Sequence, residues 1–389
     1  MIGGLARVLV VALALPGSLQ ALDWSAGERA AILRHGPWPP SWKPDPSNRV
    51  SGQAQAAALG ERLFFEPRLG AGGKVQCATC HVPFRGWQDG RPRALGIAEV
   101  ERNTPSLLNV RYQRWFGWDG AGDSLWAQSI RPILDEREMG SGAAQAAELV
   151  RDDPDYACRY RRAFGAPPPA EDAALLAGIG KALAAFQETL VTGRTPFDDF
   201  RDALERGDAA AMARYPEAAK RGLRIFVGRG RCNLCHVGAA FTNGEFHDVG
   251  IPFFVPGGVD PGRHGGIRRL RQSDWNLLGR HSDAAEGAHA VKTRSVRLEH
   301  RNFGEFKVPG LRSVALTSPY MHNGSLATLA DVVRHYSTIS PDRLHSDGEA
   351  LLVPLKLSEA EVADLVAFLG SLTETGSALA PRRPLEACR

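Results

Sequence analysis

The sequence predicts a mainly α fold made of two copies of one small helical unit. Helix signals recur along the chain, no sustained two-residue alternation marks a large sheet, and one unit occurs twice. In that unit an apolar helix with a Leu-Phe or Ile-Phe pair leads into Cys-x-x-Cys-His. The first copy is Gly60-Glu-Arg-Leu-Phe-Phe65 before Cys77-Ala-Thr-Cys80-His81; the second is Gly222-Leu-Arg-Ile-Phe226 before Cys232-Asn-Leu-Cys235-His236. Cys-x-x-Cys-His is the attachment sequence of a c-type haem. The expected fold class is therefore mainly α, with two cytochrome c-like haem domains.

Residues 1–22 read as a signal peptide. Arg7 supplies the positive end, Val8 to Leu15 a short apolar run, Pro16 and Gly17 break it, and Leu19-Gln20-Ala21 is an imperfect cleavage site. An uncleaved anchor is the alternative, against which the shortness of the run argues. Covalent haem attachment in bacteria takes place outside the cytoplasm, so export and haem agree on a periplasmic protein. Residues 23–48, rich in Pro and Trp, are expected to form an extended arm. Ser51 is expected to cap a helix over 54–65, and Asp123 precedes the apolar run Leu125-Trp126-Ala127-Gln128-Ser129-Ile130. The stretch 170–190 is Ala- and Leu-rich at helical spacing. Gly- and Pro-containing loops dominate 250–266. Ser358-Glu-Ala-Glu361 is a capping box opening a helix with Val362, Leu365, Val366 and Leu369 on one face. The expected division is an N-terminal haem domain over 23–214 and a C-terminal one over 215–389, whose tail can pack back on the first.

Composition excludes several classes. The 389 residues suffice for two cores. A formal charge of +4 is too small to imply nucleic-acid binding. No apolar run of about 18 residues follows the N-terminus, so no membrane span is expected in the mature chain. Four of the six Cys belong to the haem motifs. The remaining pair, Cys158 and Cys388, would be free to bridge in an oxidising compartment, although unpaired buried thiols look the same in sequence.

The Cys-x-x-Cys spacing lets both thiols add to the two vinyl groups on one haem edge, with the following His beneath the iron. A single Cys-x-x-Cys could be a zinc knuckle or a redox dithiol. Two copies, each followed by His in an exported chain, weaken both readings. Function turns on the opposite axial position: two strong protein ligands favour electron transfer, and an open position admits peroxide. Between the motifs, Trp118-Asp119-Gly120 is followed by Gln128, Pro132 and Glu138. Peroxide cleavage needs a group that takes a proton from one oxygen and delivers it to the other. Glu138 has that chemistry, and Gln128 can hydrogen-bond peroxide without adding charge.

Taken with Arg102-Asn103-Thr104-Pro105-Ser106-Leu107, Ser124-Leu125-Trp126-Ala127-Gln128, Phe306-Lys-Val-Pro-Gly-Leu-Arg312 and Leu316-Thr-Ser-Pro-Tyr-Met-His-Asn-Gly-Ser325, these residues make the chain resemble the bacterial dihaem cytochrome c peroxidase and MauG family from Gly60 to about Leu372. The resemblance implies a peroxidase-class oxidoreductase. Hydrogen peroxide would react at the haem on Cys77, Cys80 and His81, with Gln128, Pro132 and Glu138 on its distal side and Glu138 as acid and base. Trp118 would lie between the haems as the electron conduit. The haem on Cys232, Cys235 and His236 would relay electrons, and a calcium ion would rest on Asn103 and the backbone oxygens of Thr317 and Pro319.

Three departures refine the resemblance. Donor-dependent peroxidases of the family carry Met fourteen residues after the His of Tyr-x-His-x-Gly, whereas MauG-type enzymes carry Tyr. Here that residue after His322 is Tyr336, so Tyr336 would be the sixth ligand of the second haem. No His lies between His81 and Asn103 to close the first haem at rest. MauG presents a surface Trp six residues before the second proximal His, where this chain has Gly230.

Plainer readings stand beside these. Tyr336 shares helical spacing with Leu329, Val332 and Val333 and could be a core aromatic, with His335 and Met321 as rival ligands. Glu138 could be a solvated charge, Trp118 a core residue and Asn103 a turn cap. His247 reads as a haem-pocket contact; His264, His281, His289, His300 and His345 read as surface residues, and the Arg263–Arg271 cluster as a solvated loop. Three functional outcomes follow. The equivalents reach a small donor, a cytochrome c or cupredoxin; or they oxidise a Trp or Tyr of a protein substrate; or the chain is a non-enzymatic dihaem electron carrier with both irons closed.

Overall fold

The computed structural model describes residues 23–252, 254–255, 258–340, 351–374 and 388. The expected signal peptide and His345 lie outside them. Among the described residues no helix is long and apolar enough to cross a membrane.

The structure is helical, with two hydrophobic cores. Helices Ala54–Phe64, Leu125–Leu134, Ala143–Asp152, Pro154–Phe164 and Asp172–Gln187 enclose the first, around Leu63, Phe64, Trp126, Ile130 and Phe186. Helices Pro196–Arg206, Glu217–Val227, Leu329–Thr338 and Glu359–Gly370 enclose the second, around Phe197, Phe226, Phe241 and Phe368. The repeat seen in sequence is a repeat of packing. Helix Ala54–Phe64 crosses Asp172–Gln187 at Gly60, where a Cβ would sit 1.9 Å from the Ala182 carbonyl oxygen. Helix Glu217–Val227 crosses Glu359–Gly370 at Gly222, where a Cβ would sit 2.0 Å from the Asp364 oxygen. Both crossings need glycine because the backbones touch. Each crossing aims the C-terminal end of its helix at the next haem motif.

Strands are few among the described residues. Phe246–His247 pairs antiparallel with Phe306–Lys307, in the register Phe246 to Lys307 and His247 to Phe306. Phe254–Val255 pairs with Gly258–Val259. Cys158 and Cys388 form a disulfide, so the tail is fastened to helix Pro154–Phe164 of the first core.

Several local expectations change. The arm is not extended throughout: Ser25 and Glu28 form a capping box that opens helix Ala26–Leu33. Ser51 does not cap the next helix, because its hydroxyl donates to Glu188 Oε1 at 2.8 Å; the helix starts after Gln53 without a side-chain cap. Ser124, not Asp123, caps helix Leu125–Leu134, and Asp123 instead accepts from the Leu277 amide and the Thr293 hydroxyl. The stretch containing Arg263 to Arg271 is helical, Gly262–Gln272, with Arg263 turned inward and only 4% exposed. The expected capping box at Ser358 and Glu361 is present.

Candidate active site

Both Cys-x-x-Cys-His segments fold into a tight turn that ends by aiming a histidine ring inward. At the first, the one-turn helix Cys77–Cys80 is followed by His81, whose Nδ1 lies 3.1 Å from the Trp87 carbonyl oxygen. At the second, His236 Nδ1 lies 3.0 Å from the Phe241 oxygen. A backbone carbonyl takes the Nδ1 proton in each case and leaves Nε2 with its lone pair, the tautomer a metal ligand needs. Burial pushes His236 down to about 4 and lowers His81 as well, so it favours the neutral ring at both. Burial pushes the Cys77, Cys80 and Cys232 thiols up to about 12, and none of the four motif cysteines is disulfide-bonded. Zinc binding or dithiol exchange would call for thiolates stabilised by cations. Thioether attachment makes no such demand, and the residues fit haem.

The residues expected on the far side of the first site lie on two neighbouring segments. Gln128 and Pro132 lie on helix Leu125–Leu134, and Pro132, lacking an N–H, leaves the Gln128 carbonyl without its helical partner. The Met139 amide bonds the Pro132 oxygen at 3.0 Å, which folds residues 138–139 back against the last turn. A clamp holds Glu138 from the other side: the Ile97 amide donates to the Glu138 oxygen at 3.0 Å and Ala98 to Arg137 at 2.9 Å. The same loop meets Cys80, whose Sγ lies 3.7 Å from the Leu95 oxygen. Burial and then the Asp135 charge push the half-buried Glu138 carboxyl up to about 7, against the pull of Arg131 and Arg137. Its charge in turn acts on both Cys77 and Cys80. Gln128 Oε1 is buried without a hydrogen-bond partner. An acid–base group near neutrality thus lies beside the first motif, and the unpaired Gln128 oxygen lies against Gly117 and Gly122 of the Trp118 loop.

The second site has a walled cavity of about 300 Å³, bordered by Phe226, Cys232, Cys235, His236, Pro309 and Tyr336. Burial, with the Cys232 and Cys235 thiols beside it, holds the Tyr336 hydroxyl above its ordinary range. Of the rival ligands, His335 directs Nε2 to the Val249 oxygen at 2.8 Å, while Met321 also borders the cavity. Lys307, 8% exposed, reaches the cavity, and its ammonium donates to Gln113 and the Trp115 carbonyl among the described residues, a buried cation suited to a haem propionate. Trp118 borders the same cavity and donates its indole N–H to the Asn103 oxygen at 2.8 Å. Asn103 gives its amide Nδ2 to the Arg91 oxygen at 2.7 Å, leaving Oδ1 for another partner, and Thr317 and Pro319 share its cavity wall. No cluster of three or more His, Cys, Asp or Glu among the described residues is placed to hold a metal, so a cation here would rest on amide and carbonyl oxygens.

This geometry agrees with known proteins. The family model described as di-haem cytochrome c peroxidase matches residues 54–206. The chain is 37% identical over 327 residues to a protein named methylamine utilization protein MauG from Methylorubrum extorquens, covering 84% of this chain and 80% of the relative. The chain belongs to the di-haem cytochrome c peroxidase and MauG family. It is also 32% identical to cytochrome-c peroxidase IdrP1 of Denitromonas iodatirespirans, over 95% of this chain and 94% of the relative. Among solved structures, a MauG-like protein associated with microbial copper homeostasis superposes with a TM-score of 0.67 at 27% identity, covering 89% of this chain and 98% of that one. As a family member the protein carries two c-type haems and is a peroxidase-class oxidoreductase.

The structure also contains site residues that sequence reasoning missed. His35, from the arm, is fully buried in the second core and stacks on Phe241 at 4.5 Å, the residue whose carbonyl holds His236. Arg102 pairs with both Asp119 and Asp260 at 2.7 Å and so joins the Trp118 loop to the segment at Asp260, 158 positions beyond Arg102 itself. Phe306 lies under Arg102 and stacks on His322 at 3.5 Å. His247 borders the cavity as expected, and His300 is exposed; His264, His281 and His289 are half-buried.

Proposed function

We propose that hydrogen peroxide reacts at the site built on Cys77, Cys80 and His81, and that Glu138 manages its protons. The observation that carries this reading is the Glu138 carboxyl, raised to about 7 and held beside both cysteines. The haem attached there would supply the iron at which the O–O bond breaks. Glu138, ionised, accepts the proton of the oxygen nearer the metal and returns it to the departing one. Gln128 orients peroxide without adding charge, and Pro132 shapes that wall. Trp118 couples this site to the one on Cys232, Cys235 and His236. Tyr336 would hold the iron of the second haem, and a ferric ion there would invert the effect of burial and favour the phenolate. Asn103, Thr317 and Pro319 would offer oxygen atoms to a calcium ion. On this reading residues 23–214 form the peroxidatic domain, 215–389 the relay, and the protein works in the periplasm after removal of 1–22.

The equivalents leave to a small donor, a cytochrome c or cupredoxin. A second reading, oxidation of a Trp or Tyr in a protein substrate, draws support from Tyr336 and from the likeness to a protein named MauG; Gly230, where MauG has a surface Trp, weighs against it. Resting absorption and EPR spectra test the scheme. One high-spin and one low-spin haem are expected, both changing with peroxide. Two low-spin, six-coordinate haems indifferent to peroxide would instead make the chain an electron carrier. Tyr336→Phe should alter the low-spin signal alone, and an unchanged signal removes Tyr336 from the coordination sphere.

A further inference from the structure

Trp115 lies three residues from Trp118, is 4% exposed and has two cations against its indole. The Arg263 guanidinium sits 4.3 Å from the ring centroid and the Lys292 ammonium 5.3 Å. Neither forms an ion pair among the described residues. Arg263 donates to the Asp119 and Gly120 carbonyl oxygens at 3.2 and 2.8 Å, and Lys292 to the Arg114 oxygen at 2.6 Å. Of the carboxylates around them, Asp119 pairs with Arg102 and Arg269 and Glu245 with Arg114, while Asp123, Asp45 and Glu305 act on the two cations only from beyond ion-pair distance. One other indole, Trp42, also carries a cation without an ion pair among the described residues, Arg111 at 4.8 Å, but a single one; over three more the cation is neutralised. Arg312 over Trp38 pairs with Asp198, Lys181 over Trp126 with Asp283, and Arg224 over Trp24 with Glu28. Trp118, in contrast, donates its N–H to Asn103 and has no cation over its ring among the described residues.

We propose that Arg263 and Lys292 keep the Trp115 indole reduced, so that Trp118 is the tryptophan that gives up electrons. The proposal rests on the reading of Trp118 as the link between the haems. A cation over an indole is attracted to the neutral ring. Once the ring loses an electron it is itself a cation, and the same neighbours repel it. Burying Arg263 with no ion-pair partner among the described residues is costly, Lys292 is half-buried beside it, and packing alone would be served by apolar side chains. Lys307 is set apart from this pair because it also reaches the haem cavity, where a propionate can neutralise it. In the step concerned, one electron passes from the Trp118 π system to the haem pair oxidised by hydrogen peroxide. The Nε1 proton stays on the ring, hydrogen-bonded to the Asn103 oxygen, and one donor electron restores the indole. Two such electrons and two protons convert one hydrogen peroxide to two waters.

The test is oxidative footprinting of the dihaem protein. Hydrogen peroxide is added without donor, and the peptide holding both tryptophans is sequenced by mass spectrometry for added oxygen. Oxidation at Trp118 should exceed that at Trp115 by on the order of tenfold. Lys292→Met should raise the Trp115 share several-fold, Lys292→Arg should leave it unchanged, and Arg263→Met should act as Lys292→Met does. If Arg263→Met fails to fold, the two Lys292 variants decide. Oxidation of Trp118 with a Trp115 share that no variant moves overturns the cage and leaves the relay standing. A Trp115 share that rises in the variants while Trp118 stays unmodified overturns the relay and leaves the cage. No oxidation of either residue in any variant overturns both.

Discussion

Around His81 and His236 the chain is folded alike on the proximal side and differently on the distal side. Each histidine follows its second cysteine directly, and each gives its Nδ1 to a carbonyl five or six residues on, Trp87 or Phe241. Those contacts are local, so a short sequence motif suffices to write them. The distal sides come from distant chain. Beside the first motif lies Glu138, an ionisable group. The second receives Tyr336 from helix Leu329–Thr338 and closes around an apolar-walled cavity. The two units thus share the half that presents the histidine and differ in what lies beyond it.

Removing the acid–base group should weaken that contrast most. Glu138→Gln keeps the size of the side chain and abolishes its proton transfer, so the reaction with peroxide should slow by roughly 10²–10⁴-fold, read by stopped-flow absorption. The low-spin signal of the second haem should not change. A normal rate would remove Glu138 from the mechanism and make the two sites alike in their lack of proton chemistry.

What was legible in sequence follows the same local and distant division. The haem motifs, the Ser358 capping box and the helix at 54–64 are short-range features, and each was readable from spacing. Glu138, Gln128 and Trp118 are long-range: their place between the motifs and their chemistry made them candidates, and the family pattern supplied their roles. His35 carried no signal at all: a lone His in a Pro- and Trp-rich arm gives no hint that it enters the second core. Arg263 was misread because a Gly-rich basic stretch resembles a solvated loop, whereas the carbonyls of Asp119 and Gly120 and the ring of Trp115 draw its guanidinium inside. Pairings such as Arg102 with Asp260 depend on how two distant loops meet, which no local pattern encodes.

The disulfide tests whether the two regions depend on each other for stability. Cys158 and Cys388 are separated by 230 positions, so the bridge restricts a long loop in the unfolded chain. Replacing both by Ser should cost roughly 2–5 kcal/mol in denaturant unfolding. The first core should lose most, because helix Pro154–Phe164 carries the anchored cysteine. Equal destabilisation of both cores would mean that they unfold as one unit.

Ionisation of Glu138 should give the first site a pH dependence that the second lacks. Its folded pKa is raised to about 7 by burial and by Asp135, and the carboxylate is the form that accepts a proton from peroxide. The reaction should therefore quicken as pH rises through 7 and level off above it, by about tenfold between pH 6 and pH 8. In Glu138→Gln this rise should vanish.

The smallest expected effect lies in the second core, through His35. Burial depresses its folded pKa to about 4, with the charges of Arg34, His236 and Arg312 acting in the same direction against the Gly238 carbonyl. The unfolded chain, with a histidine near 6.5, binds the proton more readily. The stability that neutral His35 contributes is therefore complete above about pH 6.5 and is lost as pH falls toward 4. Between pH 7 and 5.5 the loss should be about 1 kcal/mol. His35→Phe keeps an aromatic ring against Phe241 and removes the titration, so its stability should fall less over that interval than that of the natural protein. His322, also depressed to about 4 by burial, adds its own slope in both proteins and cancels in the comparison. If the two slopes coincide, His35 is protonated without cost, and the acid sensitivity of the second core must come from His322 and its stacking on Phe306.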